Sequence, residues 1–202
     1  MRGKALRSRR IRRPNSVSGI ESIQLTWESG EVESYRLVRG SVVWPHESLP
    51  GIVLLGGQKL DSDQLTILEE RLFQNISESI QILDELWNYS PSRYYSDENP
   101  ESEGFIDFLR KVKRLQGKIP LVPAVHSDAV VFGNQLIGNF LESGRLVIPS
   151  GGTLMTQIQE GRQDTSVEEL FGITALRYLL AGINERSWEE EIIEVNFDQC
   201  LV

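Results

Sequence analysis

The sequence predicts an α/β protein whose mixed β-sheet is flanked by α-helices. The stretch from Ile20 to Leu72 is rich in strand patterns separated by turn residues, and from Arg93 onward strands alternate with helices. Antiparallel strands followed by such alternation are typical of a mixed sheet with helices on its faces. The chain has 202 residues, of which 40% are hydrophobic and 25% charged. It is therefore long enough to bury one core of about 150 residues plus extensions.

The first half of the chain is predicted to supply most of the strands. Leu65–Phe73 is ambiguous, because it could pair as a strand across the turn Asp61-Ser62-Asp63 or open a long helix. Gly56-Gly57 and Gly151-Gly152 lack the spacing of a dinucleotide-binding fingerprint, and we interpret both pairs as turns. The other strands predicted in this half are Ser22–Trp27, Val32–Val43 and Ile52–Leu55.

Apolar residues recur at helical spacing from Ile76 to Trp87, which predicts the first helix. Strands and helices then alternate up to a final helix over about residues 166–181. In order, we predict a strand at Arg93–Ser96, a helix from Phe105 that Gly117 ends, a strand at Leu121–Val125, a helix that Ser127 caps and Gly144 ends, a strand at Leu146–Ile148 and an edge strand at Ile192–Phe197.

Charge is unevenly distributed along the chain. The net charge is −8, yet the segment from Met1 to Arg13 contains seven basic residues and no acid. Such a segment can neutralise phosphates without reading base sequence, although a disordered tail with no such role is the alternative. We therefore predict three parts: a flexible basic arm over 1–19, an α/β domain over 20–183 and a C-terminal extension over 184–202.

The sequence also bears on location. No apolar run approaches the roughly 20 residues that cross a bilayer, and the first residues lack the apolar segment of a secretory signal. The single cysteine, Cys200, excludes an internal disulfide and a cysteine metal cage. We expect a cytoplasmic protein.

One acidic residue lies where strands usually present functional groups. Asp97 ends the predicted strand that begins near Arg93, and a turn at Asn99-Pro100 follows. In open α/β sheets, ligands gather beyond the carboxyl ends of the strands, so Asp97 is expected at a functional edge. The alternative is that Asp97 caps the next helix. Further along, Thr165 with Glu168 is also spaced as a capping box.

Several motifs together resemble a known family. Ile82–Pro91 precedes the strand Tyr94–Asp97, Asn139–Pro149 follows, and a segment opened by acids at Asp164, Glu168 and Glu169 runs into Ala175–Tyr178. In this order, over about half of the chain, they resemble the ribonuclease H-like nuclease domain of the large terminase subunit, the phage protein that cuts and packages DNA.

The resemblance implies a ribonuclease H-like fold and a metal-dependent DNA endonuclease that hydrolyses phosphodiester bonds with two Mg²⁺ or Mn²⁺ ions. Asp97 matches the family's acid at the end of its fourth strand, and Glu168 or Glu169 matches its last acid, with Asp164 as a supporting candidate. Carboxylate oxygens suit these hard cations. The family's first-strand Asp has no match in Ile52–Lys59, which leaves Glu28 as its candidate.

The resemblance further implies DNA as a partner, an ATPase or portal protein as an assembly partner, and a bacterial host cell as the location. No phosphate-binding loop of the Walker type is present in the sequence. Two alternatives remain open: a catalytically degenerate relative that serves as a nucleic-acid-binding or assembly module, and a globular protein unrelated to nucleic acid. The candidate phosphate contacts are Arg9, Arg10, Arg12, Arg13, Lys111, Lys113 and Arg114.

Overall fold

A computed structural model describes residues 10–12, 22–27, 29–45, 49–89, 91–97, 121–124, 126–160 and 170–183. Within these ranges no helix is both long enough and apolar enough to cross a membrane. The predicted helix from Phe105 and the predicted strand Ile192–Phe197 lie outside the described residues.

In the described ranges, eight strands form a mixed sheet at the centre of the fold. Its first five strands pair antiparallel in chain order, and the last three pair parallel with their neighbours. The strands are β1 (Arg10–Arg12), β2 (Ser22–Thr26), β3 (Val32–Val43), β4 (Gly51–Lys59), β5 (Leu65–Phe73), β6 (Tyr94–Asp97), β7 (Leu121–Ala124) and β8 (Leu146–Val147).

The twelve residues of β3 pair with three other strands. Its first half lies between β2 and β4, and a bulge between Arg36 and Arg39 separates it from the second half. In the second half β6 takes the place of β2, in parallel register from Gly40 opposite Tyr94 to Val42 opposite Ser96. On the far side of β6 lies β7, and on the far side of β5 lies β8.

Helices of the described ranges cover the two faces of the sheet: α1 (Ile76–Leu86), α2 (His126–Glu142), α3 (Thr153–Glu160) and α4 (residues 171–183). The Asn75 side chain caps α1 by accepting from the Glu78 amide at 3.1 Å, and the Glu78 carboxylate accepts from the Gln74 amide at 2.6 Å. α2 ends as predicted, with Gly144 in the left-handed region at φ 65°.

The sheet separates two hydrophobic cores. One lies under α1 and includes Val53, Leu55 and Leu83, while the other lies under α2, α3 and α4 and includes Leu54 and Leu176. Successive residues of β4 therefore point to opposite cores. Both faces of the sheet are covered where these residues lie, as in sheets with helices on either side.

Several sequence predictions are confirmed and others are corrected. Leu65–Phe73 is a strand, since it pairs with β4 along its length. Gly56-Gly57 is not a turn but part of β4, where a Cβ on Gly56 would meet Leu179 at 2.8 Å and one on Gly57 would meet Leu68 at 2.9 Å. The glycines thus make room for core side chains. α3 was not predicted at all.

Part of the basic segment belongs to the sheet. Arg10–Arg12 forms the edge strand β1 and pairs with β2, from Arg10 opposite Thr26 to Arg12 opposite Gln24. The remainder of residues 1–19 lies outside the described ranges. The division into three parts therefore stays a prediction.

Replacing Gly40 with Ala is expected to destabilise the fold by about 1–3 kcal/mol, as overpacking does in well-packed cores. A Cβ on Gly40 would run into the ring of Tyr94, which is fully buried and pairs directly with it. Urea unfolding followed by circular dichroism measures the change. The control is Gly138→Ala within α2, where a Cβ meets nothing within 4 Å and helix propensity favours alanine. Equal stabilities of Gly40→Ala and Gly138→Ala would contradict the close packing of Gly40 against Tyr94.

Candidate functional site

The candidate site lies at the sheet edge where β3 and β6 end. Asp97 is the last residue of β6, and its backbone pairs with Ala124, the last residue of β7. Since β3, β6 and β7 run parallel, their carboxyl ends meet at one edge. This is the place where the sequence predicted Asp97 to lie.

Helix α4 begins at the same edge. The Ser41 hydroxyl donates to the Ala175 carbonyl at 2.6 Å, while the Arg39 guanidinium donates to the Gly182 carbonyl. Later residues of α4 therefore contact earlier residues of β3, so the helix runs antiparallel to β3 and β6. Its first turn lies toward the end of the sheet that carries Asp97.

A buried glutamine holds the first turn of α4 in place. Gln157 of α3 is 8% exposed, and its Oε1 accepts from the amides of Gly172 at 2.9 Å and Ile173 at 3.3 Å. These amides belong to the turn whose N–H groups have no partner within the helix. A Cβ on Gly172 would lie 2.7 Å from the same oxygen. Gln157 therefore sets where α4 begins.

Helix α3 is held at its own start by an acid from the sheet. Glu70 of β5 accepts through Oε1 from the amides of Thr153 at 2.6 Å and Leu154 at 3.3 Å. A carboxylate at a helix N-terminus also interacts favourably with the helix dipole. Glu70 anchors α3, and α3 in turn anchors α4 through Gln157.

The described residues bring only part of the predicted metal site together. Asp97 is present as the end of β6, whereas Asp164, Glu168 and Glu169 lie outside the described residues. In the described part of the chain, no three Asp, Glu, His or Cys side chains are grouped closely enough to hold a metal ion. The residues of β3 that pair with β6 are Gly40, Ser41 and Val42. That stretch supplies no carboxylate beside Asp97.

The strand register argues against Glu28 as a ligand shared with Asp97. Glu28 lies outside the described residues, but its neighbours Trp27 and Ser29 follow β2, which pairs with the start of β3 at Val32. Asp97 lies beyond the residue that pairs with Val42, near the other end of β3. A strand of this length separates the two ends by about 30 Å. β3, not β2, is the strand beside β6, and a ligand role for Glu28 stays a prediction.

The only acid of β3 has a structural role. Glu33 is 7% exposed and accepts from the Trp27 indole, from the Tyr35 hydroxyl at 2.6 Å and from the Lys59 ammonium at 2.9 Å. Burial, and next the bond to Glu33, raise the pKa of Tyr35 above its usual value. Glu33 ties β2, β3 and β4 together, away from the edge at Asp97.

Of the predicted phosphate contacts, only Arg10 and Arg12 fall on described elements, both in the edge strand β1. The others, Arg9, Arg13, Lys111, Lys113 and Arg114, lie outside the described residues.

The mixed sheet, its strand order and the helices on both faces give the chain a ribonuclease H-like α/β fold. Among solved structures, the chain resembles nuclease domains of phage large terminases in particular. The nuclease domain of the bacteriophage SPP1 large terminase, with bound Mn, has a TM-score of 0.54 at 15% identity, over 71% of this chain and 85% of that one. The large terminase nuclease of the thermophilic phage G20c has a TM-score of 0.51 at 16% identity, over 82% of this chain and 89% of that one.

A longer large terminase from a thermophilic bacteriophage has a TM-score of 0.55 at 15% identity, over 74% of this chain and 39% of that one. This chain therefore spans about two fifths of the length of that protein. No family model and no curated protein matches the sequence. The comparisons confirm the predicted fold.

Replacing Gln157 with Met is expected to destabilise the protein by about 1–3 kcal/mol, because two buried or partly buried amides of α4 lose their acceptor. The same change at Gln159, an exposed residue of the same helix, serves as the control and should shift stability little. Urea unfolding measures both. If the two variants were equally stable, Gln157 would not anchor α4.

Proposed function

We propose that this protein is a terminase-type nuclease domain that hydrolyses DNA phosphodiester bonds with Mg²⁺ or Mn²⁺. The observation that supports it best is the shared edge: β6 ends there at Asp97, and α4 begins there. In this proposal Asp164, Glu168 and Glu169, from the segment that precedes α4, complete the metal site with Asp97. Carboxylates from separate elements that converge on one edge are what two-metal hydrolysis requires.

The chemistry of the candidate ligands shows which metal ions would suit the proposed site. Asp97 supplies a hard oxygen ligand at the correct edge, and β3 supplies none beside it. The other ligands must come from Asp164, Glu168 and Glu169. When bound, the ions would activate water and stabilise the leaving oxygen. In this proposal the contacts of Gln157 and Ser41 with α4 would help to hold these carboxylates in place.

Similar solved structures that contain metal ions support the proposal. One similar nuclease domain is described with bound Mn, and the phage G20c nuclease is also described with bound zinc. Because the longer terminase extends well beyond the length of this chain, we further propose that the domain works with an ATPase or portal partner on DNA, in the cytoplasm of a bacterial host.

A second candidate function is a catalytically degenerate module that binds or organises DNA without cutting it. The specific observation in its favour is the missing carboxylate on β3 where that strand pairs with β6. Two divalent ions held close together need several negative charges, and losing one ligand weakens their binding. In this case the basic segment, not the acids, would carry the function.

Replacing Asp97 with Asn should weaken Mn²⁺ binding at least about 10-fold, since even outer-shell partners of a metal contribute that much. Calorimetric titration with Mn²⁺ measures the affinity, and circular dichroism checks that the fold is kept. The matched control is Glu142→Gln, an exposed acid at the end of α2, which should bind Mn²⁺ like the unchanged protein. An Asp97→Asn variant with unaltered Mn²⁺ affinity would remove Asp97 from the site.

Cleavage separates the two candidate functions. The nuclease proposal predicts Mn²⁺-dependent nicking or cutting of plasmid DNA that Asp97→Asn abolishes and Glu142→Gln keeps. If the unchanged protein binds DNA but neither cleaves it nor binds Mn²⁺ at millimolar concentration, the degenerate module is the correct assignment.

Changing Arg9, Arg10, Arg12 and Arg13 together to Gln is expected to weaken DNA binding and to lower its salt dependence, by about 0.9 in slope for each phosphate that the protein no longer neutralises. Changing Lys111, Lys113 and Arg114 to Gln tests the second basic cluster in the same assay. Fluorescence anisotropy over a series of salt concentrations gives both slopes. An unchanged slope in either variant would exclude that cluster from binding the phosphates.

A further inference from the structure

A buried arginine lies between two helices away from the sheet edge. Arg177, near the middle of α4, is 7% exposed. Its Nε donates to Oδ1 of Asn134 on α2 at 2.8 Å. Its Nη1 is buried and has no hydrogen-bond partner. The guanidinium therefore donates one hydrogen bond, from Nε to a neutral side-chain amide, while Nη1 donates none to the described part of the chain.

The positive charge of Arg177 also has no carboxylate beside it among the described residues. No carboxylate in the described part of the chain forms an ion pair with it. Burial lowers the pKa of Arg177 from its usual value, as expected of a desolvated cation. Buried charges in proteins are normally paired, because an unpaired buried charge destabilises the fold.

The hydroxyl of Thr174, one helical turn from Arg177, also lacks a hydrogen-bond partner in the described part of the chain. Thr174 is 7% exposed, and its hydroxyl is buried. Thr174 and Arg177 are three residues apart in α4, so they lie on the same side of the helix, one turn from each other. Two unsatisfied polar groups on one side of one helix indicate a missing ligand better than either does alone.

The packing of α2 holds the arginine in position. A Cβ on Gly133 would lie 2.7 Å from Cβ and 2.9 Å from Cγ of Arg177, so the backbone of α2 lies against the arginine stem. The next residue, Asn134, is exposed. The stem of Arg177 is thus held against α2, and its hydrogen-bond partner Asn134 lies at the surface.

We propose that Arg177, Thr174 and Asn134 form an oxyanion site that takes a phosphate group. A planar guanidinium binds phosphate in a forked geometry, and a hydroxyl and a carboxamide add neutral donors for further phosphate oxygens. Because little of Arg177 is exposed, the group must be small or terminal, such as free phosphate or the end phosphate of a nucleic acid. Entry requires the exposed Asn134 side chain to turn away from the guanidinium. The site is separate from the edge at Asp97 and does not rest on the proposed nuclease function.

Thermal unfolding in phosphate and in chloride, at equal ionic strength and pH, tests the site. Phosphate at ten times its Kd should raise the Tm of the unchanged protein by about 3–5 °C. Arg177→Met should abolish this response without lowering the Tm in chloride, because it removes an unpaired buried charge and keeps the stem. The control Arg93→Met removes the same charge from an exposed position and should keep the response.

Two results would overturn the proposal. One is no phosphate response in the unchanged protein, and the other is an equal response in a folded Arg177→Met variant. Should Arg177→Met fail to fold, Arg177→Lys keeps the charge and the stem but lacks the fork. It is expected to fold and to show a smaller response, and a full response would again overturn the proposal.

The source of the phosphate is tested with one oligonucleotide carrying either a 5′ phosphate or a 5′ hydroxyl. Tighter binding of the phosphorylated strand, abolished in Arg177→Met and kept in Arg93→Met, identifies a nucleic-acid end. Equal binding of both strands, together with the thermal response, identifies free phosphate. Equal binding without a thermal response refutes the site.

Discussion

The parallel pairing of β6 with the second half of β3 is the constraint on which the rest of the structure depends. It requires Gly40 opposite Tyr94, since any larger residue would meet the tyrosine ring. It also brings the ends of β3, β6 and β7 to one edge, where Asp97 lies. Without this pairing β6 and β7 would be separate from the other described strands, and the ends of β3, β6 and β7 would share no edge at which ligands could gather.

Side chains of the sheet and of α3 position helices α3 and α4 through hydrogen bonds to their backbones. Glu70 accepts from the start of α3, Gln157 of α3 accepts from the start of α4, and Ser41 donates to an α4 carbonyl. Each contact satisfies backbone groups that a helix cannot satisfy by itself or fixes its direction over the sheet. The position of α4 at the candidate site is therefore determined by residues of the sheet and of α3.

The sequence predicted most helices and strands that have a regular apolar period. It did not predict features that depend on contacts between residues far apart along the chain. β3 and α1 were predicted because alternation and helical spacing are local signals. α3 was missed because it has only eight residues and its N-terminal acceptor is Glu70, 83 residues away. For the site, Asp97 was correctly predicted to end a strand, whereas the sequence could not identify which strand lies beside β6, because only the pairing of the folded sheet does so.

The contacts between α4 and β3 join residues 134 and 143 positions apart. Long loops must close before such contacts form, which makes this step slow. During synthesis the strands β3, β4 and β5 leave the ribosome well before α4 does, so the part of the sheet that α4 covers stays exposed until α4 emerges. A nascent sheet with an exposed apolar surface is prone to aggregation. The arrangement that positions α4 at the candidate site thus also lengthens the time for which the growing chain is at risk of aggregation.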